Sequence, residues 1–303
     1  MADLLEYAAL RFLSLLTGFL PFEQASRFGA SLGKVVFNLT TFRKEVALDN
    51  LRRAFPLHTA EQVNTIARGA YCNYGRSICE MLWSQGKTEK ALKPLTRLGN
   101  RGVFDEAFAD GKGVVLLSGH FGAWEMFVTS MRLNLGVPMM IIAQEQRNKR
   151  VDQFVNAGRA RFGNSVVYMA QSVRETMRTL KSGNTVGLLG DQSAPKESVF
   201  VEFFGRPAAT HRGAAVFSLK TGAPIIMPFL VRSAGGKSDV HFERIDDSNL
   251  GDTPEAQVIE LTRRHTAILE RYIRQYPDQW LWMHRRWKHT EYYRATHSEQ
   301  TRT

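Results

Sequence analysis

The chain has 303 residues, 44% of them hydrophobic and 23% charged, a composition that supports a full buried core and excludes wholesale disorder. Forty Lys and Arg against 29 Asp and Glu leave a formal charge of +11, which suits an anionic partner: nucleic acid, an anionic membrane surface or a phosphorylated substrate. The only cysteines, Cys72 and Cys79, fall in one helical stretch and provide neither a disulfide framework nor metal-ligand spacing, so they read as core thiols and neither a metal nor a cofactor is expected.

From Leu4 to Leu20 the chain is mostly Leu, Ala and Phe, but Glu6 and Arg11 interrupt it and Pro21 ends it about one turn short of the ~20 residues that a bilayer core requires. A second amphipathic stretch runs from Phe22 to Leu39. With no basic segment ahead of the apolar run and no small-residue cleavage site, residues 1–40 are expected to be helices that lie on or insert shallowly into a membrane surface. The basic surplus would then face anionic headgroups.

Arg43 to Phe55 and Ala60 to Trp83 carry helical periodicity, the second with Ile66, Ala70, Ile78 and Leu82 on one apolar face. Lys87 to Gly99 reads as a loop. Strands then follow near 114–118, 139–143, 165–168, 185–190, 199–203, 225–231 and 239–243, mostly separated by helices. This alternation predicts an α/β fold, a mixed central sheet flanked by helices, over residues 41–295. Ser233 to Ser238 reads as a hairpin connection and Ala295 to Thr303 as a frayed end, with 296–303 as a flexible tail.

The chemistry concentrates in Leu117-Ser118-Gly119-His120-Phe121-Gly122-Ala123-Trp124-Glu125-Met126. The apolar run Val114 to Leu117 reads as a buried strand and Ala123 to Leu133 as a helix, so His120 and Glu125 lie where a strand gives way to a helix. Ligands collect at such places in open α/β sheets. Five positions apart in one helix the two would diverge by about 140°. Contact therefore requires His120 on the turn and Glu125 in the first helical turns, with Gly119 and Gly122 permitting the bend. Such a pair performs general base catalysis: the imidazole takes a proton from a hydroxyl, while the carboxylate on the other ring nitrogen sets the tautomer and stabilises the imidazolium.

Three further groups of residues are placed to join this site. Leu188-Leu189-Gly190-Asp191-Gln192 ends another buried strand with a carboxylate and an amide. Phe203-Phe204-Gly205-Arg206-Pro207 follows, and Gln146-Arg147-Asn148-Lys149-Arg150 is a cationic cluster after the strand at 139–143. Asp191, Arg147 and Arg206 can converge on one crevice, where guanidinium groups suit phosphate oxygens.

With Asn50-Leu51-Arg52-Arg53-Ala54-Phe55-Pro56 near one end and Trp280-Leu281-Trp282-Met283-His284-Arg285-Arg286-Trp287-Lys288 near the other, these motifs in order resemble the late acyltransferases of lipid A biosynthesis, within the lysophospholipid acyltransferase superfamily. The resemblance runs from about Tyr7 to Lys288. It implies transfer of a fatty acyl chain from acyl carrier protein, or coenzyme A in some branches, to a hydroxyl of a phosphorylated glycolipid acceptor at the cytoplasmic face of a bacterial inner membrane. His120 would deprotonate the hydroxyl, Glu125 would orient His120, and no acyl-enzyme would form. Arg147, or alternatively Arg159, would hold the sugar phosphate or the developing oxyanion. Asp191 would contact substrate or support the His120 loop, and Arg206 is a further substrate-binding candidate. Related branches acylate other membrane lipids with the same motif.

Two rival classes have sequence support. Gly29-Ala30-Ser31-Leu32-Gly33 fits the G-x-S-x-G of serine hydrolases, but within an amphipathic helical stretch. Arg285-Arg286-Trp287-Lys288-His289 interleaves cations and aromatics as nucleic-acid binders do. A membrane-facing basic patch is the preferred reading of it, and no nucleic-acid partner is expected.

Overall fold

Strand β2 (Val114–Ser118) is buried at all five positions, because it runs near the middle of a seven-stranded sheet with a separate apolar core on each face. Side chains alternate across a strand. Val115 and Leu117 enter one core, Val114 and Leu116 the other, which is why the sequence shows an unbroken apolar run. The computed structural model describes residues 1–233 and 236–298.

In chain order the elements are helices α1 (Ala2–Phe19), α2 (Phe22–Leu39), α3 (Lys44–Ala54), α4 (Ala60–Ser84) and α5 (Glu89–Leu92), strand β1 (Thr96–Leu98), α6 (Gly102–Ala109) and β2. Then come α7 (Phe127–Leu135), β3 (Met139–Ala143), α8 (Lys149–Arg159), β4 (Ser165–Tyr168), α9 (Ser172–Lys181) and β5 (Thr185–Leu189). The chain continues through β6 (Val199–Phe203), β7 (Arg206–Thr210), α10 (Gly213–Thr221), β8 (Ile225–Arg232), β9 (Ser238–Arg244), α11 (Pro254–Gln275) and α12 (Thr290–Ser298).

The sheet order is β1-β9-β8-β2-β5-β3-β4, parallel from β8 to β4, with β9 antiparallel to β8 and β1 parallel to β9. The expected mixed α/β sheet is therefore present, with three differences in detail. The segment 199–203 leaves the sheet and pairs with β7, an unpredicted strand, as a separate two-stranded ribbon. Pro207 and two alanines gave β7 no alternating signature. The stretch from Lys87 to Gly99 holds α5 and β1. Residues 295–298 belong to α12, whereas the rest of the expected tail, 299–303, lies outside the described residues. Part of the expected connection at Ser233 to Ser238 also lies outside them, although β8 and β9 pair as a hairpin would.

At the N-terminus, α2 crosses α4 at very short range. A Cβ on Gly29 would stand 2.4 Å from the Gly75 carbonyl oxygen, and one on Gly33 only 2.0 Å from that of Tyr71. The G-x-S-x-G run is thus a helix-crossing stripe, with the Ser31 hydroxyl bonded to the Arg27 carbonyl of its own helix. No strand-turn-helix elbow surrounds it, and the serine hydrolase reading falls. Helix α1 packs on α4 and α8 through the Ser14 hydroxyl to the Leu82 carbonyl, and through the Asn148 amide to the Asp3 carbonyl and the Glu6 carboxylate. Its outer face leaves Leu4, Leu5, Phe12, Leu15 and Phe19 exposed. No helix among the described residues is long and apolar enough to cross a membrane.

Candidate active site

Strands β2 and β5 are parallel neighbours with Ser118 opposite Leu189. His120 and Asp191 each lie two residues past the carboxyl end of their strand, so the register alone sets them side by side. The Gly190 N–H donates to the Ser118 carbonyl at 2.9 Å, carrying the pairing one step further. Asp191, 3% exposed, then receives three hydrogen bonds at 2.8 Å: His120 N–H and Trp280 Nε1–H reach Oδ2, and His120 Nδ1 reaches Oδ1. Gly119 makes room for this carboxylate, since a Cβ there would lie 3.2 Å from three Asp191 atoms.

The electrostatics follow from the contacts. Burial pushes the Asp191 carboxyl up, but the His120 charge and the three donors outweigh it and hold the group at about 2. For His120, burial works against the charged form; the Asp191 charge and hydrogen bond, aided by Glu125 and opposed by Arg159, prevail, and the pKa is raised. An ionised carboxylate only accepts, so Nδ1 carries the proton and Nε2 is left as the base. That ring is 20% exposed, with the Gln192 amide nitrogen 3.5 Å from Nε2.

Glu125 takes a different place from the one expected. It sits in a 3-10 turn, Trp124–Met126, that leads into α7, and its carboxylate meets Arg159 Nη2 at 3.1 and 3.4 Å. The ring nitrogen assigned to it belongs to Asp191, which the neighbouring strand delivers directly. Glu125 influences His120 through charge, without a hydrogen bond between them. Trp124 lies beside the imidazole, ring centroids 5.9 Å apart, and stacks on Tyr74.

The cationic candidates separate. Arg159, the alternative, is at the site through Glu125. Arg147 is 85% exposed and 3.6 Å from Asp3 of α1, so it is not brought to His120: α8 begins with Asn148 as its cap and turns the preceding residue outward. Arg206 lines a cavity with Arg53, Phe55 and Arg274 and is not among the residues around His120. Of the basic run near the end of the chain, Arg286 is 1% exposed and donates to the Ala209 carbonyl and Thr210 hydroxyl, and Trp287 is buried. Arg286 and Trp287 of that run brace the β6/β7 ribbon and are withdrawn from the surface, whereas Arg285 and Lys288 remain exposed.

Sequence reasoning gave no role to the residues that hold the His120 loop from behind. Gly122 has φ +57°, and a Cβ there would sit 1.8 Å from the Leu230 carbonyl oxygen. Its N–H donates to the Gln279 carbonyl at 2.7 Å, while its own carbonyl accepts from Asn73 at 3.2 Å and Ser77 at 3.1 Å. Beneath them Arg232, at the end of β8, donates through Nη1 to both carboxylate oxygens of the buried Glu80 at 2.6 and 2.7 Å, and through Nε and Nη2 to Asn73 and Ser77. A cation ending an eight-residue buried strand was the available signal. Trp280 joins this frame by pairing backbone to backbone with Phe121, while His284 Nε2 accepts the Ser193 N–H at 2.8 Å.

A family description, bacterial lipid A biosynthesis acyltransferase, matches residues 3–289. The chain belongs to that family. It is 27% identical over 280 residues to the lipid A biosynthesis palmitoleoyltransferase of Escherichia coli K12, covering 89% of this chain and 86% of that one. It is also 24% identical over 280 residues to a lipid A biosynthesis acyltransferase of Haemophilus influenzae, covering 90% and 84%. The Escherichia coli lauroyltransferase of the same biosynthesis is 21% identical over 271 residues, covering 89% and 87%. This member of the family is an acyltransferase enzyme. No group of three or more His, Cys, Asp or Glu side chains that could hold a metal ion occurs among the described residues.

Proposed function

We propose that the enzyme moves a fatty acyl chain from acyl carrier protein, or from coenzyme A, to a hydroxyl of a phosphorylated lipid A precursor. The observation that supports this best is the His120 ring: Nδ1 is held by a buried carboxylate, and Nε2, on a ring 20% exposed, has only the long 3.5 Å contact from the Gln192 amide. His120 Nε2 takes the proton of the acceptor hydroxyl as its oxygen attacks the thioester carbonyl. The tetrahedral oxyanion collapses, the C–S bond breaks, and the departing thiolate recovers the proton from the imidazolium. Neither an acyl-enzyme nor an external acid is needed.

Asp191 replaces Glu125 as the orienting partner in this scheme. Glu125 and Arg159 form the facing wall. Arg159, 25% exposed, is positioned by Glu125 to attract the oxyanion or an acceptor phosphate. The exposed apolar face of α1 would rest on the cytoplasmic face of the inner membrane, peripherally, with the basic surplus toward anionic headgroups.

The test is transfer by purified enzyme from acyl-charged carrier protein, and separately from acyl coenzyme A, to a lipid A precursor, followed by mass spectrometry. His120→Ala should lower the rate at least ~10²-fold. Near-normal turnover by that variant would remove the mechanism, and transfer only to a different glycolipid or lysophospholipid would reassign the acceptor.

A further inference from the structure

The motifs around Arg53 and Arg206, far apart in sequence and uninvolved at His120, meet at a cavity of about 580 Å³. Four guanidinium groups from four elements converge on it: Arg53 of α3, Arg206 at the start of β7, Arg274 near the end of α11 and Arg294 of α12. No carboxylate is among the residues that line it. Its apolar wall is the edge-to-face pair Phe55 and Phe204, ring centroids 5.4 Å apart.

The fold fixes this arrangement. Phe204 and Gly205, at φ +53° and +69°, turn the β6/β7 ribbon and present Arg206 beside Phe204. Glu270 accepts the Phe204 N–H and also holds Arg274, whose guanidinium lies over the Phe204 ring at 4.4 Å. The partners of Arg53 and Arg294 are exposed carboxylates on the same helices, Asp49 and Glu291, and such pairs hold weakly. The backbone of Arg206 pairs with Phe203, but its guanidinium has no hydrogen-bond or ion-pair partner among the described residues. Like charges gathered on a concave wall repel one another, and a bound anion relieves them.

We infer that this cavity is a second anion site, separate from the His120 crevice, which takes a phosphate ester either free or in a lipid headgroup. Guanidinium forks match phosphate oxygens, and the two phenylalanine rings accept the organic part of the ester. Phe204 of the cavity wall packs against Phe203 edge to face, Phe203 against Trp280 likewise, and Trp280 Nε1–H donates to Asp191, so a chain of aromatic contacts runs from the cavity to the His120 crevice. The inference does not depend on the acyl-transfer reading, because binding is measured without turnover.

The experiment is calorimetric titration of the full chain with glycerol 3-phosphate, repeated with competing phosphatidylcholine vesicles that do or do not contain phosphatidic acid. Wild type should bind glycerol 3-phosphate saturably. Arg206→Gln and Arg294→Gln should each weaken binding at least ~10-fold, the scale of a charge-assisted contact, with circular dichroism and thermal midpoint unchanged. Displacement by phosphatidic acid vesicles alone assigns the site to a headgroup, and its absence assigns it to a soluble ester. Lack of saturable binding by wild type, or wild-type affinity in both variants, overturns the site; if Arg206→Gln does not fold, Arg294→Gln decides.

Discussion

Two carboxylates stand near one imidazole, and they differ in every respect that matters. Asp191 comes from a different strand, is 3% exposed and accepts three hydrogen bonds, two of them from His120 itself. Glu125 is five residues from His120 in sequence, yet its carboxylate, 15% exposed, spends its bonds on Arg159. Adjacency in a parallel sheet is the stronger constraint: register across β2 and β5 places a side chain to within a hydrogen bond. The turn from His120 into the 3-10 segment that carries Glu125 lets the local pair diverge.

The comparison breaks or sharpens under substitution. Asp191→Asn should have the largest effect, on the order of 10³-fold or more in kcat, because an amide at this position no longer selects the tautomer that leaves Nε2 free. Glu125→Gln should cost about 10²-fold, through Arg159 and the lost negative charge. If steady-state rates rank the two the other way, Glu125 is the orienting partner and Asp191 a loop support.

A pH profile separates the two by direction. Asp191 raises the His120 pKa above the ordinary ~6.5, so the neutral base accumulates only at higher pH and the acidic limb of kcat/KM is displaced upward. The limb should move down in Asp191→Asn and by less in Glu125→Gln; an unmoved limb in both would detach His120 from the titration.

Trp280→Phe tests the pinning of Asp191 alone. It removes one donor from a buried carboxylate and should destabilise the fold by about 1–3 kcal/mol in denaturant unfolding, with a smaller loss of rate than Asp191→Asn. A neutral result would mean that His120 by itself holds the carboxylate.

The smallest effect concerns His284, whose imidazole is held at about 4 by burial and the Arg286 charge, against the attraction of Asp191. Between roughly pH 6.5 and 4 the unfolded chain binds a proton that the folded chain refuses, so stability falls as pH falls through this window. In His284→Gln the unfolding midpoint should decline less over the same range than in wild type, and parallel declines would show that the group titrates alike in both states.

The sequence carried the sheet well where burial was two-sided. Val114 to Ser118 and Met139 to Ala143 were legible because apolar side chains are needed on both faces. Short or proline-bearing β1 and β7 were not, since edge and ribbon strands need little apolar pattern. At the site His120, Asp191 and Gln192 were all singled out, but the contacts that hold the site were not: Trp280 is 89 residues from Asp191 in the chain, and the supporting pair Arg232 and Glu80 is 152 residues apart. A spacing motif records only neighbours along the backbone.

By itself the sequence determined the family, the α/β class and the two strand ends that carry His120 and Asp191, because local composition and ordered motifs suffice for these. Tertiary structure alone decided which carboxylate holds the imidazole, which arginine reaches the site and which basic residues are buried. Those outcomes depend on strand register and on the close approach of Gly122 to Leu230, distances that form only when the segments pack.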